Sequence, residues 1–462
     1  MWVYEELFSQ FKRALELFEK QDRRGAEILL MEVKDALEGN EEYRELEGEW
    51  NLLMAKLHFC DLDLALPYLQ KARSMIKGRS KVVPYGSPLS RKVYGPLFVF
   101  LKTPGTADET GEKLEQMMEL YDSLCGGGNR WDQLYYAQLA FYRGEYEKAQ
   151  SLFLKAEGSA KKSGNLLEQL CTAEYRCRLA VHMRDSAMWN QAFKFICSMQ
   201  NSEDRVLREM ALCLKSQLRM SVGIMTGVPQ WIRCGKFGAV SDGKHYRIIE
   251  DRVTHTVFPV AWITYMEYLL YSGDFYYVIN AADIAVSLYG LNNMMLYECN
   301  LWLYKASAWN ALGDREKAMP YLKCAVELLA KDGMWQLAAE FFPTLGENLR
   351  EEMEPFGEEY VNRYLNFSEN FTVKLSEMRK VMMENVFKEP LTEKEEAVAK
   401  LAALGLKTEE VGECLSISRN TVKYHLSNAY KKLGIKNRVE LKDALESYQE
   451  SELAYWTQLH KK

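Results

Sequence analysis

The chain has 462 residues, and its 59 lysines and arginines against 65 aspartates and glutamates leave a formal net charge of −6. This length predicts two to four domains or one extended repeat array. The ten cysteines show no Cys-x-x-Cys spacing, and no secretory leader or apolar run of about 18 residues occurs, so we expect a cytoplasmic chain without disulfides or membrane spans.

Short turns, most of them carrying an acidic residue, recur along the first three quarters of the chain. They begin at Gln21, Cys60, Gly144, Arg184, Gly273 and Gly313. Mostly small or apolar residues follow five and twelve positions later: Ala26 and Val33, Ala65 and Ala72, Ala149 and Ala156, Trp189 and Ile196, Val278 and Ala285, Ala318 and Ala325. Each turn would separate two helices that cannot bury their apolar faces alone and therefore stack on their neighbours.

These offsets resemble the tetratricopeptide repeat. The resemblance implies a superhelical array of helix pairs over residues 1–346, with a non-repeating helical bundle as the alternative. Glycine and proline interrupt the pattern near residues 78–106 and 224–257, which we predict to be irregular connections. Loops of this length are candidates for effector or partner contact, against the plainer interpretation of a decorated repeat. Residues 347–389 are charged and helical in pattern, and we interpret them as a connector.

The C-terminal segment, residues 390–450, has the pattern of four short helices and is followed by a tail, residues 451–462. Thr392 and Glu395 have the spacing of a capping box, and Gly405 suits the end of the first helix. Thr408 is placed to cap a second helix, on whose inner side we expect Cys414. Ser418 is placed to cap the third helix, and Asn437 the fourth.

The third helix is predicted over Arg419–Leu433. Its apolar residues Val422, Leu426, Ala429 and Leu433 recur every three or four positions and predict one buried stripe. From Arg419 to Arg438 there are six basic residues and no acidic one, although the chain as a whole is acidic. An acid-free basic segment indicates an anionic partner, and DNA is the first candidate. The alternative is a solvated basic face with no partner.

Such a helix can place its N-terminal residues against base edges in the major groove of DNA. Five residues on its outer face are candidates for contacts with bases: Arg419, Asn420, Lys423, Tyr424 and Ser427. Eight more are candidates for contacts with phosphates: Thr408, Ser418, Thr421, His425, Lys431, Lys432, Lys436 and Arg438.

The order of residues in this segment resembles the LuxR-type (GerE) DNA-binding domain of bacterial transcription factors. Matching positions are Leu391, Thr392, Glu395, Gly405, Glu410, Val411, Leu415, Ile417, Ser418, Thr421, Val422, Lys423, His425, Asn428, Lys432, Leu433, Gly434, Ile435 and Arg438. The resemblance implies that Lys423, Tyr424 and Ser427 read bases and that the fourth helix dimerises the domain. Gly412 stands where the family usually has alanine.

A helical repeat array followed by such a domain resembles the MalT-like regulators, in which the repeats bind an inducer or a regulatory protein. The ATPase module of that family has no counterpart here, because no Gly-x-x-x-x-Gly-Lys-Ser/Thr phosphate loop occurs. The chain begins at Met1 in an amphipathic helix, so a free-standing sensor is expected, with a truncated longer protein as the alternative.

We therefore predict an all-α chain, with a tetratricopeptide-like array followed by a four-helix LuxR-type helix-turn-helix domain. The predicted function is bacterial transcription regulation. The repeats would sense a small ligand or protein partner, and the C-terminal domain would bind double-stranded DNA as a homodimer. The alternative is a tetratricopeptide scaffold without sequence-specific DNA binding. We expect no enzyme activity, cofactor or metal site, because neither a nucleophile with its base nor a cluster of metal ligands is evident.

Overall fold

The computed structural model describes residues 4–445, with gaps at residues 21, 38, 91–92, 129, 226, 236–239, 242–245, 248–256, 290–293, 368–373, 375–376, 378–390, 434, 436, 439 and 442–443. Several sequence-based predictions therefore fall outside the described residues. They are the tail at 451–462, most of the connection at 224–257 and the second half of the connector.

The described chain is built from α-helices, which confirms the predicted fold class. The first eleven are α1 Tyr4–Glu19, α2 Arg23–Glu32, α3 Lys34–Leu37, α4 Arg44–Leu57, α5 Leu62–Met75, α6 Pro96–Phe100, α7 Ala107–Cys125, α8 Trp131–Tyr142, α9 Tyr146–Ser163, α10 Leu166–Met183 and α11 Ser186–Met199. The next nine are α12 Arg205–Ser221, α13 Gln230–Arg233, α14 Phe258–Ser272, α15 Phe275–Tyr289, α16 Met295–Ala311, α17 Arg315–Ala330, α18 Trp335–Ala339, α19 Phe342–Leu345 and α20 Glu347–Met353.

Helix α21 is described over residues 358–367. The C-terminal helices are α22 Glu393–Ala403, α23 Thr408–Leu415 and α24 Arg419–Leu433. Two-residue antiparallel strands, β1 Val240–Ser241 and β2 Tyr246–Arg247, lie between α13 and α14. None of the helices in the described part of the chain is long and apolar enough to cross a membrane.

Each of the six predicted turns separates two helices. The pairs are α1 with α2, α4 with α5, α8 with α9, α10 with α11, α14 with α15, and α16 with α17. All twelve side chains at the predicted offsets are buried, with at most 4% of their surface exposed. The turn aspartate often caps the second helix: Asp61 Oδ1 accepts the N–H of Leu64 at 3.3 Å, and Asp185 Oδ1 that of Met188 at 2.9 Å. In these two pairs the aspartate of the turn thus caps the second helix.

The contacts divide the chain into two compact units. The first comprises Met1–Arg176, Ala285–Trp302 and Lys323–Ala338, and the second comprises Cys177–Ile284, Leu303–Leu322 and Ala339–Lys462.

In the first unit, the irregular connection at 78–106 is held against the helices by hydrogen bonds. The buried Lys56 ammonium donates to the carbonyls of Pro88 at 2.7 Å and Leu89 at 3.3 Å. Tyr121 donates its hydroxyl to the carbonyl of Ser87 at 2.9 Å. Residues 87–89 of this connection are therefore hydrogen-bonded to side chains of α4 and α7.

Residues that follow α17 also form hydrogen bonds with the start of α7 in the first unit. The buried Asp332 accepts the backbone N–H of Gly105 at 2.7 Å and that of Ala107 at 2.8 Å, so it satisfies donors at a helix N-terminus. Trp335 donates its indole N–H to the carbonyl of Arg143 at 3.0 Å. These bonds join segments that lie about 190 to 230 residues apart in the sequence.

In the second unit, α21 packs against residues that precede it in the chain. The buried Tyr364 of α21 donates its hydroxyl to the carbonyl of Gly346 at 2.6 Å. The ring of the buried Phe367 lies 5.4 Å from the ring of His182 at the end of α10. Burial, together with smaller contributions from the charges of Lys374 and Arg178, lowers the pKa of His182 to about 3. Helix α21 is thus packed on a neutral histidine.

Candidate nucleic-acid interface

Three C-terminal helices and the residues after them share one small core. The predicted capping box is present at the start of α22: Thr392 Oγ1 accepts the N–H of Glu395 at 3.3 Å, and Glu395 Oε2 accepts the N–H of Thr392 at 2.8 Å. The buried members of the core are Leu391, Val398, Ala399, Ala402, Val411, Val422, Leu426, Ala429, Leu441 and Leu445. The predicted inward stripe of α24 is therefore confirmed at three of its four positions, and Leu433 is partly buried against the same core.

A tight turn joins α23 to α24 and sets their close approach. Ser416 adopts the left-handed conformation at φ 53°, and the N–H of Ile417 donates to the carbonyl of Gly412 at 2.9 Å. A Cβ on Gly412 would lie 2.7 Å from the carbonyl oxygen of Ile417, so glycine permits this approach. Ser418 then caps α24, as predicted, because its hydroxyl accepts the N–H of Thr421 at 3.1 Å.

Two predictions for α23 are wrong. Thr408 is the first residue of the helix, and the capping position belongs to Lys407, whose N–H donates to Glu410 Oε2 at 2.6 Å. Cys414 is exposed, whereas the sequence placed it on the inner side of the helix. The buried residues of α23 are Val411 and Gly412, so the short helix presents a narrower inner face than its apolar pattern indicated.

One face of α24 is exposed along its whole length. Its residues are Asn420, Lys423, Tyr424, Ser427 and Lys431, and 64% of the Tyr424 side chain is open to solvent. The spacing of three or four positions places them opposite the buried stripe. Neither Lys423 nor Lys431 forms an ion pair with a carboxylate in the described residues. These two charges are available to an external anion.

Arg419 is also exposed, but it already has a partner within the domain. Its Nε lies 2.8 Å from Oε1 of Glu409 on α23, and both side chains are more than half exposed. Surface pairs of this kind contribute about 0–1 kcal/mol, so a nucleic acid can displace the glutamate at little cost.

Among the described residues of the domain, Lys432 forms the best-shielded ion pair. Its Nζ lies 2.7 Å from Oε2 of Glu395, and the two side chains are only 14% and 6% exposed. Burial acts to raise the pKa of Glu395, but hydrogen bonds from Lys432 and Thr392 outweigh it, and the pKa is lowered. This lysine ties the end of α24 to the start of α22.

Arg438 is likewise turned into the domain. Its guanidinium donates to the carbonyl of Ala402 at 2.8 Å and to that of Leu406, so it satisfies carbonyls at the end of α22. The sequence pattern carried no signal for these partners, which lie more than 30 residues earlier. The remaining basic candidate of this stretch, Lys436, lies outside the described residues.

The small polar candidates gather at the starts of the helices. Ser418 is exposed, and its hydroxyl lies 2.8 Å from that of Thr421. Thr408 is half-buried at the start of α23. His425 is half-buried beside Tyr424, at 5.6 Å between ring centroids, and its Nδ1 has no hydrogen-bond partner among the described residues. The capping contact predicted for Asn437 is present, since Asn437 Oδ1 accepts the N–H of Glu440 at 3.2 Å.

Comparison with known proteins places this arrangement in a family. Residues 389–444 match the family described as bacterial regulatory proteins, luxR family. A stretch of 61 residues is 41% identical to the transcriptional regulatory protein DesR of Bacillus subtilis, and this match covers 13% of the chain and 31% of that relative. The C-terminal segment, with its capping box, its tight turn and its exposed basic helix, is therefore a helix-turn-helix domain of the luxR (GerE) type.

Proposed function

We propose that this protein regulates transcription by binding duplex DNA through the exposed face of α24. The observation that carries the proposal is the combination of a rigid, well-capped helix with five exposed polar side chains opposite its buried stripe. Lysine pairs with guanine acceptors and asparagine with adenine in the major groove, so Lys423 and Asn420 suit base edges. Tyr424 and Ser427 complete the base-reading set that we assign to this face.

We divide the phosphate candidates by their partners. Lys431 is exposed and suits a phosphate, as do the hydroxyls of Ser418 and Thr421 at the N-terminus of α24, where backbone N–H groups favour anions. Lys432 and Arg438 are assigned to the packing of the domain, because their hydrogen bonds already go to Glu395 and to backbone carbonyls. Arg419 serves the DNA only after it leaves Glu409.

The proposal is tested by fluorescence anisotropy with the full chain and pooled random-sequence and genomic duplexes at low salt. We expect Lys423→Ala to weaken the tightest binding by about 1–3 kcal/mol, because alanine cannot donate to a base edge. The matched control is Lys400→Ala, an exposed lysine of the same domain that lies on α22 and pairs with Glu396 at 2.8 Å. Failure of the wild-type chain to bind any duplex would favour the scaffold function instead.

We further propose that the domain binds DNA as a homodimer and that the repeat region supplies the regulatory input. The docking of α21 supports a mechanical link, since Phe367 and Tyr364 anchor the connector to the repeats. An effector that favours one state of this docking would shift how the DNA-binding domain is presented. The stoichiometry on DNA is measured by light scattering of the complex with a palindromic duplex, and one chain per duplex would contradict the dimer.

A further inference from the structure

The repeat region contains a second acid-free basic segment, longer than the one in the C-terminal domain. From Leu64 to Ala107 the chain has eight lysines and arginines and no aspartate or glutamate. Five of the eight fall within Lys71–Lys81, at the end of α5 and in the loop that follows it. In a chain whose net charge is −6, this local concentration of positive charge calls for a physical account.

Four of these residues, which lie within nine positions of the chain, define what we call the α5 basic surface: Lys71, Arg73, Lys77 and Arg79. All four are exposed, and none forms an ion pair with a carboxylate that the structure describes. The fifth, Lys81, is excluded because its Nζ lies 2.6 Å from Oε2 of Glu45. That hydrogen bond, with a smaller contribution from the charge of Lys77, lowers the pKa of Glu45.

The loop that carries this surface is fixed to the helices behind it. The N–H of Ser80 donates to the carbonyl of Leu124 at 2.9 Å, and the N–H of Gly86 donates to that of Cys125 at 2.9 Å. The buried Glu49 accepts the N–H of Lys81 at 2.6 Å. The cations are thus presented on an ordered support, which lowers the entropy cost of binding an anion.

An exposed tyrosine in the loop indicates which part of a nucleic acid would be bound. Tyr85 is 68% exposed, but the guanidinium of Arg79 lies 4.4 Å from its ring centroid, and a Cβ on Gly126 would overlap the ring. Because Arg79 stacks on the ring and the glycine turn packs against it, Tyr85 is a poor platform for stacking bases. The surface therefore suits phosphates of a duplex backbone better than unpaired bases.

We propose that the α5 basic surface is a second DNA contact, which holds the phosphate backbone of duplex flanking the site bound by α24. This inference rests on the proposed function, because the C-terminal domain would supply DNA at a high effective concentration to a surface on the same chain. A cluster of three or four lysines and arginines, too weak to bind DNA alone under physiological salt, becomes effective when it is tethered in this way.

The test compares the salt dependence of DNA binding by full-length variants. Lys71, Lys77 and Arg79 are replaced together by glutamine, and Arg73 is kept because its Nη1 donates to the carbonyls of Ile76 and Gly78 at 3.3 Å. The control carries the same charge change on α9, with Lys148, Lys155 and Lys162, all exposed, replaced by glutamine. Random-sequence duplexes of about 20 and about 80 base pairs are the probes, since only the longer one offers flanking DNA.

On the long duplex, the triple variant is expected to show a slope of log affinity against log salt that is smaller by about 0.9 for each phosphate that it no longer neutralises. Raising the salt from 50 to 200 mM weakens DNA binding by both proteins. If the variant neutralises two or three fewer phosphates, its loss of affinity is smaller than that of the wild type by a factor of about 10 to 40. The α9 control keeps the wild-type slope. On the short duplex all three proteins behave alike, and unchanged thermal unfolding midpoints verify the folds.

Equal slopes for the triple variant and the wild type, with Lys423→Ala still weakening binding, would overturn this inference and leave the proposed function standing. Absence of duplex binding by the wild type removes both. A third outcome is a change in self-association with unchanged DNA slopes. It would overturn the DNA assignment and indicate instead that the surface meets an acidic segment of a second copy, such as residues 347–359.

Discussion

Basic residues of the C-terminal domain differ in exposure and in their partners, although they carry the same charge. Lys431 and Lys432 are adjacent, yet the first is exposed and the second is largely shielded in its ion pair with Glu395. A helix turns by about 100° per residue, so neighbours along the chain face different surroundings. From the sequence, both lysines were candidates for phosphate contacts. In the structure, Lys431 is exposed to solvent and Lys432 is paired with Glu395.

Lys432→Ala should therefore destabilise the domain. Removal of one partner leaves the shielded Glu395 carboxylate unpaired, and we expect a loss of about 1–3 kcal/mol in local stability. The measurement is hydrogen exchange of the amides of α22 and α24 in the full chain. Lys431→Ala is the matched control, for which we expect unchanged protection and a slope of DNA affinity against salt that is smaller by about 0.9. Swapped results for the two variants would refute the assignment.

A second residue-scale prediction concerns Glu168 in the first unit. This side chain is 4% exposed and accepts a hydrogen bond from Asn165 Nδ2 at 2.8 Å. Burial raises its pKa to about 7, against hydrogen bonds that act to lower it. Because the folded state holds the proton more tightly than the unfolded state, stability is fully present below about pH 4.5 and falls as the pH rises through 7.

Glu168→Gln should remove this pH dependence. The shift corresponds to roughly 3 kcal/mol, so the variant becomes more stable than the wild type at pH 8 and the two converge near pH 4. Denaturant unfolding at several pH values gives the difference. His182, with its lowered pKa, has the opposite sign and loses stability as the pH falls below about 6.5, but it contributes equally to both proteins. A pH-independent difference would contradict the role of Glu168.

At the scale of the helices, local sequence patterns were sufficient to locate the helix pairs. The turn residues and the small side chains at fixed offsets predicted six helix pairs. Each pattern spans about a dozen residues and therefore lies within a single helix pair. The capping box of α22 and the cap of α24 were predictable for the same reason. The start of α23 was missed by one residue, because Thr408 is a better capping residue than Lys407 and the backbone of Lys407 instead bonds to Glu410.

Gly144, in the turn between α8 and α9, packs directly against the ring of Trp335. Its φ is 74°, and a Cβ there would lie 2.5 Å from Cζ2 of Trp335. Gly144→Ala should therefore incur both the strain of a left-handed alanine, about 1–2 kcal/mol, and a displacement of the indole. Urea unfolding followed by tryptophan fluorescence measures the loss of stability.

Gly164→Ala is the matched control for that experiment. Gly164 has a similar φ of 68°, and a Cβ there would meet no atom within 4 Å. We expect the Gly144 variant to lose about 1–3 kcal/mol more than the Gly164 variant, since only the first moves a buried ring. Equal losses of stability in the two variants would mean that the Trp335 ring moves aside without destabilising the fold.

At the scale of the whole molecule, α21 begins the segment through which, in the proposed function, the N-terminal helices act on the DNA-binding domain. Phe367→Ala should loosen α21, because it removes the buried ring that lies against His182. Limited trypsin digestion is expected to cleave near Lys374 several-fold faster in this variant. Phe356→Ala, which truncates a half-buried ring beside Tyr360, should keep the wild-type rate. Equal rates in all three proteins would show that Phe367 does not anchor the connector.

The sequence by itself determined the elements of this protein, namely the helix pairs, the C-terminal helices and the exposed polar face of α24. All of these follow from periodicities of three to twelve residues, which act within one or two helices. Only the tertiary structure decided that Asp332 caps α7, that Lys432 and Arg438 bond within the domain, and that α21 packs on His182. Their partners lie from about 30 to more than 200 residues away in the sequence. Only folding brings these residues together, so no local sequence pattern predicts the contacts.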